Sequence, residues 1–171
     1  MIIAQPADVP DVAARPRLGV RPDGNAADQH YLEEAAGALG PIMAACEAGA
    51  ARSPRPDVRI LVREARGVHA AQLSAIAEIL HAQGRPGPSY VRAGEVADLA
   101  RLAGAALDRA LVERLTAHAH ASIAAARTEL VVGVSPSVRR LAERAIHADD
   151  RLIAALERIS CETAHPSGLD E

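Results

Sequence analysis

A small group of polar side chains falls on predicted helix faces that are otherwise apolar. Four of them carry ligand or acid–base chemistry, namely His118, His69, Asp149 and Gln72. Imidazole and carboxylate groups that project inward from facing helices can converge on one ion in the core of a bundle. We therefore identify them as a candidate site for a transition metal ion, the one cofactor that the sequence suggests. Glu129 is a further inward-facing acid, near one end of its helix.

Two other interpretations of this group stay open. The polar side chains could hydrogen-bond one another or line a small wet cavity, which is the ordinary condition of buried polar groups. Alternatively, His118 or His69 could act as a general base oriented by Asp149, although nothing in the sequence names a substrate. His120 follows His118 by two residues, which is about 200° around a helix, so we expect it to face solvent.

The sulfur-containing residues do not add a second site. Cys46 lies near Met43, but a soft-metal site needs more thiol and thioether ligands than this pair, so we interpret both as core residues. Cys46 and Cys161 are far apart in the chain and in no metal-ligand spacing. We expect two separate thiols rather than a disulfide.

Long helices must position these side chains. The start and stop residues predict four long helices and a short linking one, at about 28–51, 56–83, 93–103, 107–132 and 135–160. We expect one bundle domain at 28–160, with repeat one at 28–83, a linker at 84–107 and repeat two at 108–160. Residues 1–27 and 161–171 are predicted to be a flexible leader and a flexible tail.

Individual residues predict where the helices begin, bend and end. Asp28 is expected to be the N-cap of the first helix, and Ser135 that of the last, followed by a proline in the first turn. Pro41 is expected to kink or split the first helix, because it removes a backbone hydrogen bond. Gly84 is expected to end the second helix.

Apolar residues recur at three- and four-residue steps in the long segments, as they do in amphipathic helices. The stripe of the second helix is Val58, Leu61, Ala65, Val68, Ile76 and Ile79. The stripe of the helix at 107–132 is Leu111, Leu115, His118, Ser122 and Ala125. The stripe of the helix at 135–160 is Val138, Leu141, Ala145, Leu152 and Leu156. Helices of this kind bury their stripes against one another, so the expected fold is all-α, a four-helix bundle.

The two halves of this bundle repeat each other. With a shift of 80 positions, Asp28 aligns with Asp108, and the segment 56–61 aligns with 136–141. A self-match at a fixed period indicates that two tandem helical hairpins were built from one pattern. The inward polar residues do not match, since His118 aligns with Ala38. Any site is therefore expected to be single and asymmetric, centred on His118.

The spacing of the shared residues resembles the bacterial, ferritin-like domain of unknown function 305, which contains a duplicated helical hairpin. The residues that carry the resemblance are Asp28, Tyr31, Leu32, 56–59 and Leu61 in the first repeat, and Asp108, His118 and 135–142 in the second. The resemblance covers most of the chain between residues 28 and 159. It implies a ferritin-like bundle whose inward polar residues bind metal.

Repeats of that family typically carry a His-His pair, methionines, and Gln and Glu three residues apart. The His-His positions of this chain are Ala38-Leu39 and His118-Ala119. The Gln and Glu positions hold His69 and Gln72 in the first repeat, and Asp149 and Leu152 in the second. The metal-binding positions that the resemblance implies are therefore occupied by a different and smaller polar set.

Composition and charge limit the classes of partner. The net charge is −3 and no arginine-rich run is interleaved with aromatic residues, so we expect no nucleic acid partner. No apolar run approaches the roughly 18 residues of a membrane span, so we expect no membrane partner and a cytoplasmic location. The leading hypothesis is a non-catalytic bundle that serves as an interaction or homo-oligomerising module. The alternative is a protein that binds a transition metal or small ligand at one asymmetric core site.

Overall fold

The computed structural model describes residues 24–88 and 97–164 of the chain. The helices within these residues are α1 Ala26–Arg52, α2 Pro56–Ala82, α3 Ala97–Ala100, α4 Gly104–Val132 and α5 Pro136–Ala164. No strand occurs in the described ranges, so the predicted all-α class is confirmed. Most of the predicted leader (1–23), the start of the predicted linking helix (93–96) and most of the predicted tail (165–171) lie outside the described residues.

The long helices form a bundle of two antiparallel hairpins. α1 packs against α2 and α4 packs against α5, as expected for helices joined by short turns. The hairpins meet through α1 on α4, and less extensively through α2 on α5. The short α3 lies against the end of α1, where the Arg52 guanidinium donates hydrogen bonds to the carbonyl oxygens of Leu99, Ala100 and Leu102.

Aliphatic side chains fill the core, as the absence of Phe and Trp requires. The predicted stripe of α5 is buried throughout, and that of α2 is buried at Val58, Leu61, Ala65 and Ile76. Val68 is an error of the prediction, because its side chain is 43% exposed. The next residue, His69, points inward instead, and adjacent residues on a helix point about 100° apart. In α4 the buried apolar residues after Leu115 are Ala119, Ile123 and Ala126, so the predicted stripe is displaced by one position.

The same backbone hydrogen bond closes the end of the first helix in both hairpins. The Ser53 N–H donates to the carbonyl oxygen of Gly49 at 2.9 Å, and the Gly133 N–H donates to that of Glu129 at 2.7 Å. These donors and acceptors match under the 80-residue shift. The duplication seen in the sequence is therefore also a duplication of turn geometry.

One arginine in each repeat caps the preceding helix. Arg59 donates to the carbonyl oxygens of Ser53 and Pro54 at 2.8 and 3.0 Å, and Arg139 donates to those of Leu130 and Gly133 at 2.7 and 3.0 Å. The last carbonyls of a helix have no partner within the helix, and a cation is favourable there. This interaction explains why a Val-Arg pair recurs at the same place in both repeats.

The predicted N-cap of α1 is wrong by three residues. Asn25 is the N-cap, and its side chain accepts the N–H of Asp28 at 3.0 Å. Asp28 in turn accepts the N–H of Asn25 at 2.6 Å, which completes a capping box. The acidic residue of such a box lies at the third helical position, so its side chain resembles an N-cap in sequence.

The expected interruption at Pro41 does not divide α1, which runs through it from Ala26 to Arg52. One missing backbone hydrogen bond is outweighed by the packing on either side of it, since Leu39, Ile42 and Ala45 are all buried. α2 ends at Ala82, one residue before the predicted end, and the turn that follows contains Gly84, whose φ of 68° lies in the left-handed region that glycine adopts without strain.

Two other helix limits differ from the prediction. α4 begins at Gly104, three residues earlier than expected, and Gly104 has a φ of 57°. α5 continues to Ala164, beyond the expected end at about 160, into the segment predicted to be a flexible tail. Intrinsic helix formers such as Glu and Ala carry the last turn onward.

A pair of buried carboxyl groups joins the start of α1 to the α4–α5 turn. Asp28 is fully buried and accepts the N–H groups of Ser135 at 2.9 Å and Val134 at 3.3 Å, in addition to that of Asn25. Glu129, 2% exposed, lies beside it. A Cβ atom at Gly133 would lie 1.8 Å from Glu129 Oε1, so this turn needs glycine to admit the Glu129 carboxyl.

The two carboxyl groups share one negative charge below pH 7. Burial, together with the hydrogen bond and charge of the neighbouring Asp28, raises the pKa of Glu129 to about 7. Burial also opposes ionisation of Asp28, but the hydrogen bonds from Asn25, Ser135, Glu129 and Val134 bring its pKa below the ordinary value. A proton on Glu129 would therefore be donated to the Asp28 carboxylate.

Replacing Glu129 by glutamine should make the protein less sensitive to pH. The pKa of Glu129 rises from 4.5 to about 7 on folding, so this group's contribution to stability is full below pH 4.5 and falls as the pH rises to 7. We expect Glu129→Gln to unfold at the same urea concentration as the wild type at pH 5. At pH 8 we expect it to be more stable by about 2 kcal/mol.

Glu113→Gln is the matched control, because Glu113 is an exposed glutamate of the same helix. Its unfolding free energy should follow that of the wild type at both pH values. If the unfolding free energies of Glu129→Gln and the wild type differ by the same amount at pH 5 and at pH 8, the two carboxyl groups do not share a proton.

Candidate metal centre

Three helices bring His69, His118 and Asp149 together. His69 comes from α2, His118 from α4 and Asp149 from α5, and one nitrogen or oxygen atom from each lies within 4.8 Å of the others. His69 and Asp149 are buried and His118 is partly buried. Three of the four predicted site residues therefore converge. The fourth, Gln72, is half-buried and lines a cavity together with His118.

The ligand-type atoms of the group have no hydrogen-bond partner among the described protein groups. Both ring nitrogens of His69, Nε2 of His118 and Oδ2 of Asp149 are buried in this condition. The two imidazole rings meet edge to face, with centroids 4.9 Å apart and planes at 86°, and so do not hydrogen-bond each other. Buried polar atoms without partners are costly, and their concentration at one point distinguishes this site from an ordinary polar core.

Burial sets the protonation states of the group. It lowers the pKa of His69 to about 4, with a smaller effect from His118, and it lowers the pKa of His118 to about 4. It also raises the pKa of Asp149 to about 6, an effect that the Ser122 hydrogen bond opposes and Asp150 reinforces. At neutral pH the group therefore consists of two neutral imidazoles and one carboxylate, the forms that ligate metals.

Ser122 holds the carboxylate in place. It lies one helical turn after His118 on α4, and its hydroxyl hydrogen-bonds to Asp149. This bond leaves Oδ2 as the unpartnered oxygen. A hydrogen bond that fixes a ligand from outside is the usual arrangement in metal sites. The sequence analysis included Ser122 in the stripe of His118 but did not predict a role for it. The four-residue spacing indicates that Ser122 lies on the same helix face as His118.

Gln72 lies beside the group and lines two cavities. The smaller has a volume of about 60 Å³ and also reaches His118, Ser122 and the side chain of Tyr31. The larger is a groove of about 450 Å³ between α2 and α5, bordered by Arg144, Arg151, His147 and the exposed Val68 among others. The sequence prediction missed Tyr31 as a site residue, because a tyrosine on an apolar stripe is indistinguishable there from a core residue.

The other candidate residues are placed elsewhere. His120 is exposed, as predicted, and Glu129 is paired with Asp28. Cys46 is buried and Cys161 is exposed, and both are free thiols, as expected. Burial raises the pKa of the Cys46 thiol to about 12, so it stays protonated and is a poor metal ligand.

Comparison with known proteins supports the fold. No family model and no curated protein matches the sequence. Among solved structures, the fold is similar to the crystal structure of a DUF305 fragment from Deinococcus radiodurans, with a TM-score of 0.72 and 17% sequence identity over 80% of this chain and 96% of that one. The resemblance to domain of unknown function 305 is confirmed at the level of the helical bundle.

The helices of the described residues include none that is both long and apolar enough to cross a membrane. Their hydrophobic residues lie on one stripe of each helix and face the core.

Replacing Asp149 by asparagine should stabilise the metal-free protein. The pKa of this carboxyl rises from 3.8 to about 6 on folding, so above pH 6 the folded chain carries a buried charge at a cost in stability. Asparagine removes the charge and keeps an oxygen for Ser122. With a chelator at pH 8, we expect the variant's unfolding free energy to exceed that of the wild type by about 1–2 kcal/mol.

Asp150→Asn provides the control, since Asp150 is the exposed neighbour on the same helix. Its unfolding free energy should differ little from that of the wild type. If Asp149→Asn is instead less stable than the wild type at pH 8, the carboxylate stabilises the metal-free core. The expected cost of burying its charge is then absent.

Proposed function

We propose that the protein binds one divalent transition metal ion through His69, His118 and Asp149. The observation that supports this proposal is the convergence of ligand atoms from these three side chains within 4.8 Å, in a group where four nitrogen and oxygen atoms are buried without a hydrogen-bond partner among the described protein groups. Four-coordinate ions of this kind hold their ligand atoms roughly 3.4 Å apart, which follows from metal–ligand bonds of about 2.1 Å. Side-chain rotation would bring the three atoms to that separation.

The donor set favours zinc or ferrous iron over other ions. Two imidazoles and one carboxylate suit borderline divalent ions, and this combination is found in zinc enzymes and non-haem iron proteins. Calcium and magnesium prefer oxygen ligands alone, and copper(I) prefers sulfur. The thiol that lies in the core, Cys46, is not in the group.

Metal binding accounts for the group better than acid–base catalysis does. A histidine acting as general base is usually oriented by a hydrogen bond to its partner, and neither nitrogen of His69 has such a bond within the described residues. The low pKa of both histidines also makes them weak bases. The predicted ferritin-like relationship fits the proposal, because bundles of that class hold ions between facing helices.

A metal-binding experiment with matched histidine variants tests the proposal. Untagged protein should bind one equivalent of Zn²⁺ or Co²⁺ by calorimetry and elemental analysis. His118→Ala and His69→Ala should lower the affinity at least 100-fold, since even residues behind the ligands account for about 10–100-fold.

His120→Ala is the control, because His120 is exposed two residues away on the same helix. It should bind as the wild type does. The proposal is wrong if His118→Ala and His69→Ala both keep the ion. It is also wrong if the wild type binds no stoichiometric metal.

A second candidate function is the predicted interaction or homo-oligomerising module. Three valines near the α4–α5 turn support it, since Val131, Val132 and Val134 are 82%, 47% and 60% exposed. Adjacent exposed valines form an apolar patch that a second copy of the chain could cover.

Light scattering after size-exclusion chromatography tests this second candidate. We expect the wild type to elute as an oligomer and Val131→Asp as a monomer, because a charge in the interface would leave it unpaired. Ala117→Asp is the control, because Ala117 is exposed on α4 about four turns before Val131, and it should keep the wild-type mass. A monomeric wild type at high concentration would exclude the module.

A further inference from the structure

The cavity of about 60 Å³ beside the candidate metal centre lies at the junction of α1, α2 and α4. Its lining includes Tyr31, Glu34, Ala38, Gln72, His118 and Ser122. Two of these residues belong to the site, since His118 is a proposed ligand and Ser122 holds Asp149. The cavity is far smaller than the roughly 300–1,000 Å³ of sites for organic cofactors. It has room for a water molecule or a small anion.

Divergence between the repeats accounts for this space. Ala38 lies at the position that matches His118 under the 80-residue shift, so the first repeat leaves a methyl group where the second has an imidazole. Ala35 and Ala125 are small as well, and all three line the cavity. The metal centre is therefore surrounded by ligands on the side of α2, α4 and α5, whereas α1 contributes none.

Tyr31 supplies an unused hydrogen-bond donor. Its side chain is 4% exposed, and its hydroxyl is buried without a partner among the described protein groups. Burial, with the negative charges of Glu129 and Asp149, raises the pKa of this phenol above its ordinary value, so it keeps its proton. A protonated phenol at the wall of the cavity can donate a hydrogen bond to a bound anion or water.

We propose that the cavity holds an exogenous ligand of the metal ion, a water molecule or small monoanion to which the Tyr31 hydroxyl donates a hydrogen bond. This inference rests on the proposed metal-binding function. With three protein ligands, a four-coordinate ion keeps one position open. The carboxylate and a divalent ion leave one positive charge in the core, and a monoanion in the cavity neutralises it.

Azide binding to the cobalt-loaded protein tests this inference. Co²⁺ gives visible absorption bands that respond to a change of ligand, and azide is a linear monoanion that fits the cavity. We expect saturable spectral changes as azide is added to the wild-type cobalt protein. Tyr31→Phe should bind azide about five- to tenfold more weakly, the effect of one hydrogen bond, with cobalt affinity unchanged.

Ala38→Leu should weaken the azide response, because Ala38 is exposed at the edge of the cavity and a longer side chain there narrows its opening, while cobalt still binds. Ala51→Leu is its control, because Ala51 is exposed on the same helix and does not line the cavity. Cobalt uptake without a response to azide, or equal azide affinity in Tyr31→Phe, would overturn this inference and leave the proposed function intact. Failure of the wild type to take up cobalt would overturn both.

Discussion

The packing of aliphatic side chains between the four long helices determines the space around the buried polar groups and excludes water from them. Without Phe or Trp, the core is filled by Leu, Ile, Val and Ala. Small residues allow close approach of helices, and close approach excludes water. His69, His118 and Asp149 are therefore buried strongly enough to shift their pKa values, and the two histidines are held neutral. The same small residues leave the cavity beside His118, because alanine cannot fill every space between helices.

The duplication separates features that carry the fold from features that carry chemistry. Both turns keep the backbone hydrogen bond to Gly49 or Glu129 and the capping arginine, since each hairpin needs its helix end satisfied. The inward polar positions have no such shared requirement, because both hairpins contribute side chains to one group at the centre of the bundle. His69 and Asp149 occupy matched positions on α2 and α5, and so approach the centre from opposite hairpins. One histidine on α4 then completes the group, and the matching Ala38 on α1 leaves it open.

The sequence predicted the helices and the convergence of three site residues, for a physical reason. Apolar stripes define which way each helix faces, and His69, His118 and Asp149 lie on those stripes or next to them. Val68 shows the limit of that reasoning, because a rotation of a few tens of degrees moves a residue at the edge of a stripe in or out. The pairing of Glu129 with Asp28 depends on atoms that meet only after the hairpins dock. Periodicity within one helix cannot predict such contacts. For the same reason, the sequence did not predict a role for the hydroxyl groups of Ser122 and Tyr31.

The charge of the core supports the proposed divalent ion over a proton or an alkali-metal ion. Burial favours the neutral imidazoles and opposes the Asp149 carboxylate, so at neutral pH the metal-free centre carries one uncompensated negative charge. A proton would remove that charge but would leave both nitrogens of His69 without partners. An alkali-metal ion would balance the charge, yet it binds imidazole nitrogen weakly. The proposed divalent transition ion would satisfy all three ligands and leave one positive charge. The Tyr31 donor and the space left by Ala38 lie where a small anion would balance it.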